Sequence, residues 1–181
     1  VDFYDKRHPV PFGEYVPDRE FWRPLAPDLI DLVARDYTPG SADAIFTVDG
    51  VPTGINICFD IADDTVLRDS VLEGAQVIFS ASNNADFGRT DQSAQQLAIA
   101  RARAIELGRT VVNVSTVGLT AIIGPDGRTL AQLPWHEPGS IVAEVELFEG
   151  LTPAAAAGGW FELAAAGLGV GVLLMAWSSN G

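Results

Sequence analysis

From Ala44 onward, short β-branched runs alternate with stretches whose apolar residues recur at helical spacing, and a turn or cap residue marks each change. Ala44–Val48 and Thr53–Cys58 read as strands, and Asp49-Gly50 between them is a strong hairpin signal. Asp63 or Asp64 then caps a helix that runs to Glu73 and stops at Gly74. Gln76–Ser80 reads as a buried strand, Ser82–Thr90 as a polar loop, and Asp91–Leu107 as a helix ended by Gly108. Four further strands are predicted at Thr110–Ser115, Leu119–Ile123, Thr129–Leu133 and Ile141–Val145, with Pro125-Asp126-Gly127 as a tight turn. The alternation predicts a layered α/β (α+β) domain.

The two ends read differently. The first forty residues hold Pro9, Pro11, Pro17, Pro24, Pro27 and Pro39, so most of this stretch is predicted as a shaped loop, with a helical turn or two over Asp28–Arg35. At the other end, 163–181 carries no charged residue, is rich in Leu and Val, and is bracketed by Trp160 and Trp177. Crossing a bilayer takes about 20 apolar residues. Gly167, Gly169 and Gly171 weaken a helix in water but are tolerated in membrane helices. The stretch reads as a membrane helix or, with Glu162 at its start, as the buried C-terminal helix of a soluble domain. The expected organisation is a catalytic segment over 1–148, a linker over 149–160 and a membrane helix over 161–178.

Composition narrows the function. A formal net charge of −13 argues against nucleic acid, because phosphate contacts need clustered Lys and Arg. A basic patch for anionic lipid headgroups is disfavoured for the same reason. His8 and His136 are the two histidines and lack partners at metal-ligand spacing. Asp60, Asp63 and Asp64 read as capping carboxylates rather than a calcium site.

Two residues carry candidate chemistry. Lys6 is the single lysine among eleven basic residues, and an ammonium is a compact point charge that a planar guanidinium does not replace at a tight site. Cys58, the single cysteine, ends a predicted strand just before a helix start, where a thiolate gains from local positive potential. Taken alone, a strand cysteine is also a common small core residue.

Three segments resemble the carbon–nitrogen hydrolase (nitrilase) superfamily and, within it, the apolipoprotein N-acyltransferases. They are 4–17 (Tyr4-Asp5-Lys6-Arg7-His8 through Phe12-Gly13-Glu14-Tyr15-Val16-Pro17), 54–60 around Cys58, and 82–88 with the Gln95-Gln96 to Arg109 stretch that follows. The resemblance implies part of a nitrilase-like αββα sandwich followed by a membrane helix. It implies a Glu-Lys-Cys triad in which Cys58 holds an acyl group as a thioester and Lys6 stabilises the oxyanion with help from the backbone N–H of Phe59. Glu14 matches a second carboxylate that positions the lysine. Asp60 stands where glutamate is more common, which shortens that carboxylate by one methylene. Asn84, Ala85, Asp86 and Phe87 match a lid loop over the lipid site, with Asp86 where tryptophan is frequent.

The resemblance further implies a phospholipid acyl donor, a diacylglyceryl-lipoprotein acceptor, no metal or organic cofactor, and a multi-pass protein of the cytoplasmic membrane with its catalytic domain outside. The family's general base would precede Val1, so the chain is expected to be a fragment without turnover of its own. A soluble nitrilase-type amidase and a degenerate, membrane-attached interaction module remain as rival readings.

Overall fold

A computed structural model describes residues 3–179. Val1, Asp2, Asn180 and Gly181, which fall in the expected catalytic segment and apolar tail, lie outside the described residues.

The proline-rich start is mostly irregular, as its composition dictates, with two single-turn helices, α1 (Arg19–Trp22) and α2 (Pro27–Ile30). α1 was not predicted, and α2 is shorter than the Asp28–Arg35 expectation. What fixes this stretch is long-range: Arg19 donates to the carbonyls of Ile30 (3.2 Å) and Val33 (2.9 Å) and pairs with Asp36 at 2.6 Å. Val16, Ile30 and Val33 close a small apolar cluster beneath it.

Among the described residues six strands follow in one sheet, in sequence order. β1 (Ile45–Val48) and β2 (Val51–Ile57) form the predicted hairpin. Its two-residue turn places Asp49 at φ 49° and Gly50 at φ 83°, the double left-handed conformation that Asp-Gly favours. β2, β3 (Val77–Ser82) and β4 (Thr110–Ser115) run parallel, so each pair needs a crossover. α3 (Asp64–Leu72) and α4 (Gln92–Leu107) supply them. The Asp63 side chain accepts from the backbone of Thr65 and Val66 and starts α3, while Gly108, at φ 62°, ends α4. β5 (Ala121–Ile123) and β6 (Thr129–Gln132) add an antiparallel edge.

Both helices cover the same face. The register sets Gly54, Ile78, Val111 and Ile123 side by side, and Leu67, Val71, Leu97, Ala104 and Leu107 pack against that row. Each of the Leu, Ile and Val side chains contributes about 1.5–3 kcal/mol on burial. One step further along the strands the row turns polar: Asn56, Ser80 and Asn113 are buried, with Asn56 hydrogen-bonded to Ser80 at 3.2 Å. The core thus changes from apolar to polar toward the C-terminal ends of the parallel strands, where Cys58 lies.

The opposite face carries Ile55, Phe79, Val112 and Ile122 in register, and Phe79 is 42% exposed. Residues 139–147 lie along it, bounding cavities of about 440 and 320 Å³. The strand expected at Ile141–Val145 is not formed. Its β-branched pattern suits a strand, yet Val142 is 96% exposed and the segment joins no ladder. Alternation specifies a face, and a strand also needs a neighbour to receive its hydrogen bonds.

Within 149–160 the structure places α5 (Pro153–Ala157), packed on α3 and α4 with Ala155 fully buried. Three side chains fasten it. Thr152 caps its start and donates to the Glu106 carbonyl, Arg68 donates to the Ala155 carbonyl at 2.7 Å, and buried Arg109 donates to the Gly150 carbonyl at 2.8 Å. α6 (Trp160–Ser179) follows. It is long and apolar enough to cross a membrane, and none of its apolar window, Trp160–Trp177, is buried in the structure.

Candidate active site

The site begins with a reversal of the first loop. Glu14 N–H donates to the Val10 carbonyl at 2.8 Å, and the Glu14 carboxylate accepts from Val10 N–H at 2.7 Å. The turn is therefore closed from both sides, with Phe12 in the left-handed region at φ 60°. It returns Glu14 to Lys6, whose Nζ lies 2.6 Å from Glu14 Oε2. Both side chains are largely shielded, at 11% and 26% exposure, so the ion pair is less screened by solvent than a surface pair. The structure thus sets the Glu14 carboxylate directly against the ammonium.

Cys58 occupies the junction where β2 stops and a 3₁₀ turn, Cys58–Ala62, begins. Its backbone adopts φ 52°, a left-handed conformation that costs an L-residue with a Cβ about 1–2 kcal/mol. Such strain persists where surrounding contacts over-determine it, and it concentrates at functional sites. Here those contacts come from three side chains, two on α4 and one in the turn itself. Gln96, on α4, bridges the Cys58 carbonyl (3.3 Å) and Ser82 Oγ (2.6 Å). Arg103, also on α4, donates to the Ile61 and Ala62 carbonyls. From within the turn, Asp60 accepts from Ile57 N–H at 3.2 Å.

Asp60 is the hub. It is fully buried and also accepts from Tyr4 Oη at 2.9 Å and from His8 N–H at 2.7 Å. The shorter aspartate therefore reaches three donors without the extra methylene. Burial, and then the Asp60 charge and hydrogen bond, hold the Tyr4 phenol well above its ordinary value, so it stays a donor. The lysine loop is consequently fastened to the turn that carries Cys58, with Tyr4 and His8 flanking Lys6 at two residues on either side. Two adjacent cavities mark the seam. One, of about 470 Å³, is lined by Lys6, and the other, of about 360 Å³, by Phe59 and His8; Pro9 and Tyr37 line both.

The 82–90 loop leaves the end of β3, where Gln96 ties Ser82 to the Cys58 carbonyl. Ala85 and Asp86 are exposed and Phe87 half-buried in a 3₁₀ turn, whereas Asn84, expected with them at the lipid surface, is buried and donates to Ser93 Oγ at 3.3 Å. Asn84 anchors the loop. Gly118 closes the anchor from the far side, since a Cβ there would collide with Ser93, Ser115 and Asn84.

Sequence reasoning missed Tyr4, His8 and Gln96 as members of the site. The available signal was the spacing Tyr4-x-Lys6-x-His8, because alternate residues of an extended segment share a side. Among the described residues no group of three or more potential metal ligands comes together.

Residues 1–149 match the carbon-nitrogen hydrolase family. The chain is 39% identical over 98% of its length to an apolipoprotein N-acyltransferase of Mycolicibacterium smegmatis, and 36% identical over 83% to one of Vibrio cholerae. It spans 30% of each of these relatives. Among solved structures, an amidase from Nesterenkonia sp. shares the fold, with a TM-score of 0.54 and 20% identity over 75% of this chain and 46% of the other.

Proposed function

The chain belongs to the carbon–nitrogen hydrolase family, and within that family we propose that it is the cysteine- and lysine-bearing part of an apolipoprotein N-acyltransferase. In this reading 1–148 belongs to the catalytic domain and α6 is a membrane helix that follows it. The observation that carries the reading is the fastening of the Lys6–Glu14 loop, through Tyr4 and His8, onto buried Asp60, two residues beyond Cys58. It brings the single lysine's loop to a strained cysteine turn, the arrangement that nucleophilic acyl transfer needs.

The chemistry runs in two halves. A base takes the Cys58 thiol proton, the thiolate attacks a phospholipid ester carbonyl, the C–S bond forms and the ester C–O bond breaks, and the glyceryl oxygen leaves with that proton as the lysophospholipid. The α-amine of an S-diacylglyceryl cysteine then attacks the thioester, a C–N bond forms, and Cys58 departs as thiolate while the amine's proton passes to a base. Lys6, oriented by Glu14, faces the negative charge that develops on the carbonyl oxygen in both halves. The Phe59 N–H is its backbone counterpart. Ala85, Asp86 and Phe87 form the lipid-facing edge. The general base, the acyl donor and the lipoprotein acceptor follow from the resemblance and from the relatives' name.

The exposed, largely apolar surface of α6, whose one charged residue is Glu162 in its first turn, favours this reading over a soluble amidase, which would have to cover it. The test is made in the complete protein. Incubated with phospholipid, the parent accumulates an acyl adduct on Cys58, seen by intact mass and lost on treatment with hydroxylamine. Cys58→Ala forms none and does not N-acylate a diacylglyceryl lipopeptide. Undiminished N-acylation by Cys58→Ala would remove the proposal.

A further inference from the structure

Besides its backbone contact with Asp60, His8 places its imidazole between two carboxylates. Nε2 lies 3.2 Å from Asp63 Oδ2, and Nδ1 lies 3.6 Å from Asp60 Oδ1. Both carboxylates follow Cys58 closely: Asp60 is inside the nucleophile turn, and Asp63 immediately follows Ala62 as the cap of α3. The ring is therefore a strut between the lysine loop and the middle and C-terminal end of the turn that begins at Cys58. Nδ1 is buried and makes no hydrogen bond. At 3.6 Å it stands beyond hydrogen-bond length from Asp60, on a carboxylate already engaged by Tyr4, His8 N–H and Ile57 N–H.

We propose that His8 is a positioning residue for the cysteine chemistry: its ring clamps the lysine loop onto the Cys58 turn through Asp60 and Asp63, and so sets where Lys6 stands relative to the sulfur. The inference rests on the Cys58–Lys6 reading above. Tyr4 alone does not do this work, because it reaches only Asp60, whereas the imidazole spans Asp60 and the start of α3. The ring also lines the cavity that Phe59 lines, so its removal opens the seam beside the residue after the nucleophile. Arg7 on the same loop and Tyr15 and Tyr37 across the cavity are the other polar side chains bounding that space.

The experiment compares His8→Phe, which keeps the ring and removes both nitrogens, with His8→Gln, whose amide nitrogen matches the reach of Nε2. It uses the complete protein in detergent, a synthetic phosphatidylethanolamine as donor and a diacylglyceryl lipopeptide as acceptor. His8→Phe is expected to lower kcat about 10- to 100-fold, the range for a small misplacement of catalytic groups. KM and the melting temperature stay near the parent's. The iodoacetamide alkylation rate of Cys58 changes in the same variant, and His8→Gln recovers most of the lost kcat. If His8→Phe fails to accumulate, His8→Asn takes its place with the same expectation, since its shorter amide does not reach Asp63. A kcat within twofold of the parent in these variants, while Cys58→Ala abolishes transfer, overturns the inference and leaves the functional reading standing. So does a loss of kcat that follows the melting temperature and is not recovered by glutamine. Transfer that survives Cys58→Ala sinks the functional reading instead, and the clamp with it.

Discussion

Lys6 Nζ sits 2.6 Å from Glu14 Oε2, and that same oxygen accepts from Val10 N–H, so one carboxylate oxygen both closes the loop and aims the ammonium. Glu14→Gln keeps the size and the acceptor for Val10 but removes the charge that draws Lys6 in. In the complete protein it is expected to lower kcat for acyl transfer by about 10²-fold, as a misdirected catalytic group does. The melting temperature stays within a few degrees of the parent, because the pair is not a core contact. A variant with parental kcat would show that Lys6 is oriented by something else.

Cys58 is held at φ 52°, where glycine has no Cβ to clash. Cys58→Gly and Cys58→Ala are both expected to be inactive, yet to differ in stability. Relief of the left-handed strain favours glycine by about 1 kcal/mol over alanine. Thermal melting of the two variants side by side measures this, and a more stable alanine variant would show that the turn is unstrained.

Much of this architecture was legible in the sequence because it is local. Asp49-Gly50 fixed the hairpin, Asp63 and Gly74 bounded α3, Gly108 ended α4, and Thr110–Ser115 matched its strand residue for residue. What was not legible depends on partners distant in sequence. α5 has a local Thr152 cap, but Arg68, some 87 residues away, donates to its Ala155 carbonyl, and Arg109 holds the Gly150 carbonyl just before it, which nothing in Pro153–Ala157 itself announces. Ile141–Val145 has strand composition without a strand neighbour. The site divides in the same way. Lys6, Glu14 and Cys58 stood out by rarity and motif, whereas the Asp60 hub joins residues 52 and 56 positions apart. Asn84 looked like a polar loop residue until Ser93 and Gly118 enclosed it.

Asp60 is fully buried and satisfies the Tyr4 phenol and two backbone N–H groups. Asp60→Ala strands all three donors, and a buried unsatisfied donor costs about 1–3 kcal/mol. A loss of roughly 3 kcal/mol or more is expected, with release of the lysine loop seen as faster proteolysis within residues 3–17. Asp60→Glu restores the charge but adds a methylene to a closed site, an overpacking that costs about 1–3 kcal/mol. A glutamate variant as stable as the parent would show slack around the hub.

The Arg19–Asp36 contact makes the first loop acid-sensitive. The Arg19 hydrogen bond, and then that of Val16 N–H, hold the Asp36 carboxyl below its ordinary value. A depressed carboxylate contributes stability that is present above its unfolded pKa of about 3.9 and is lost as pH falls through the lower folded value. Loosening of residues 15–36 is therefore expected below about pH 4. Hydrogen exchange across that stretch reads it out, and Asp36→Asn should remove the pH dependence of this segment. An unchanged acid profile in that variant would assign the sensitivity elsewhere.

The last prediction concerns α6, whose apolar window from Trp160 to Trp177 is uncovered in the structure. Three glycines at positions 167, 169 and 171 cost a water-exposed helix about 1 kcal/mol each relative to alanine, a penalty that membrane helices tolerate. In a translocon-insertion assay, residues 160–179 are expected to insert. Leu173→Arg, near the C-terminal half of the window, raises the insertion free energy by as much as about 2.5–3.5 kcal/mol if it falls at the bilayer centre, and by less toward the interface. At about 1.4 kcal/mol per decade, the inserted fraction then falls tenfold or more. Leu173→Ala leaves insertion nearly unchanged, which separates the effect of charge from that of lost side-chain volume. If the parent segment stays untranslocated and uninserted, the exposed apolar surface of α6 belongs against protein rather than lipid, and the reading of the chain as a membrane-attached acyltransferase loses its anchor.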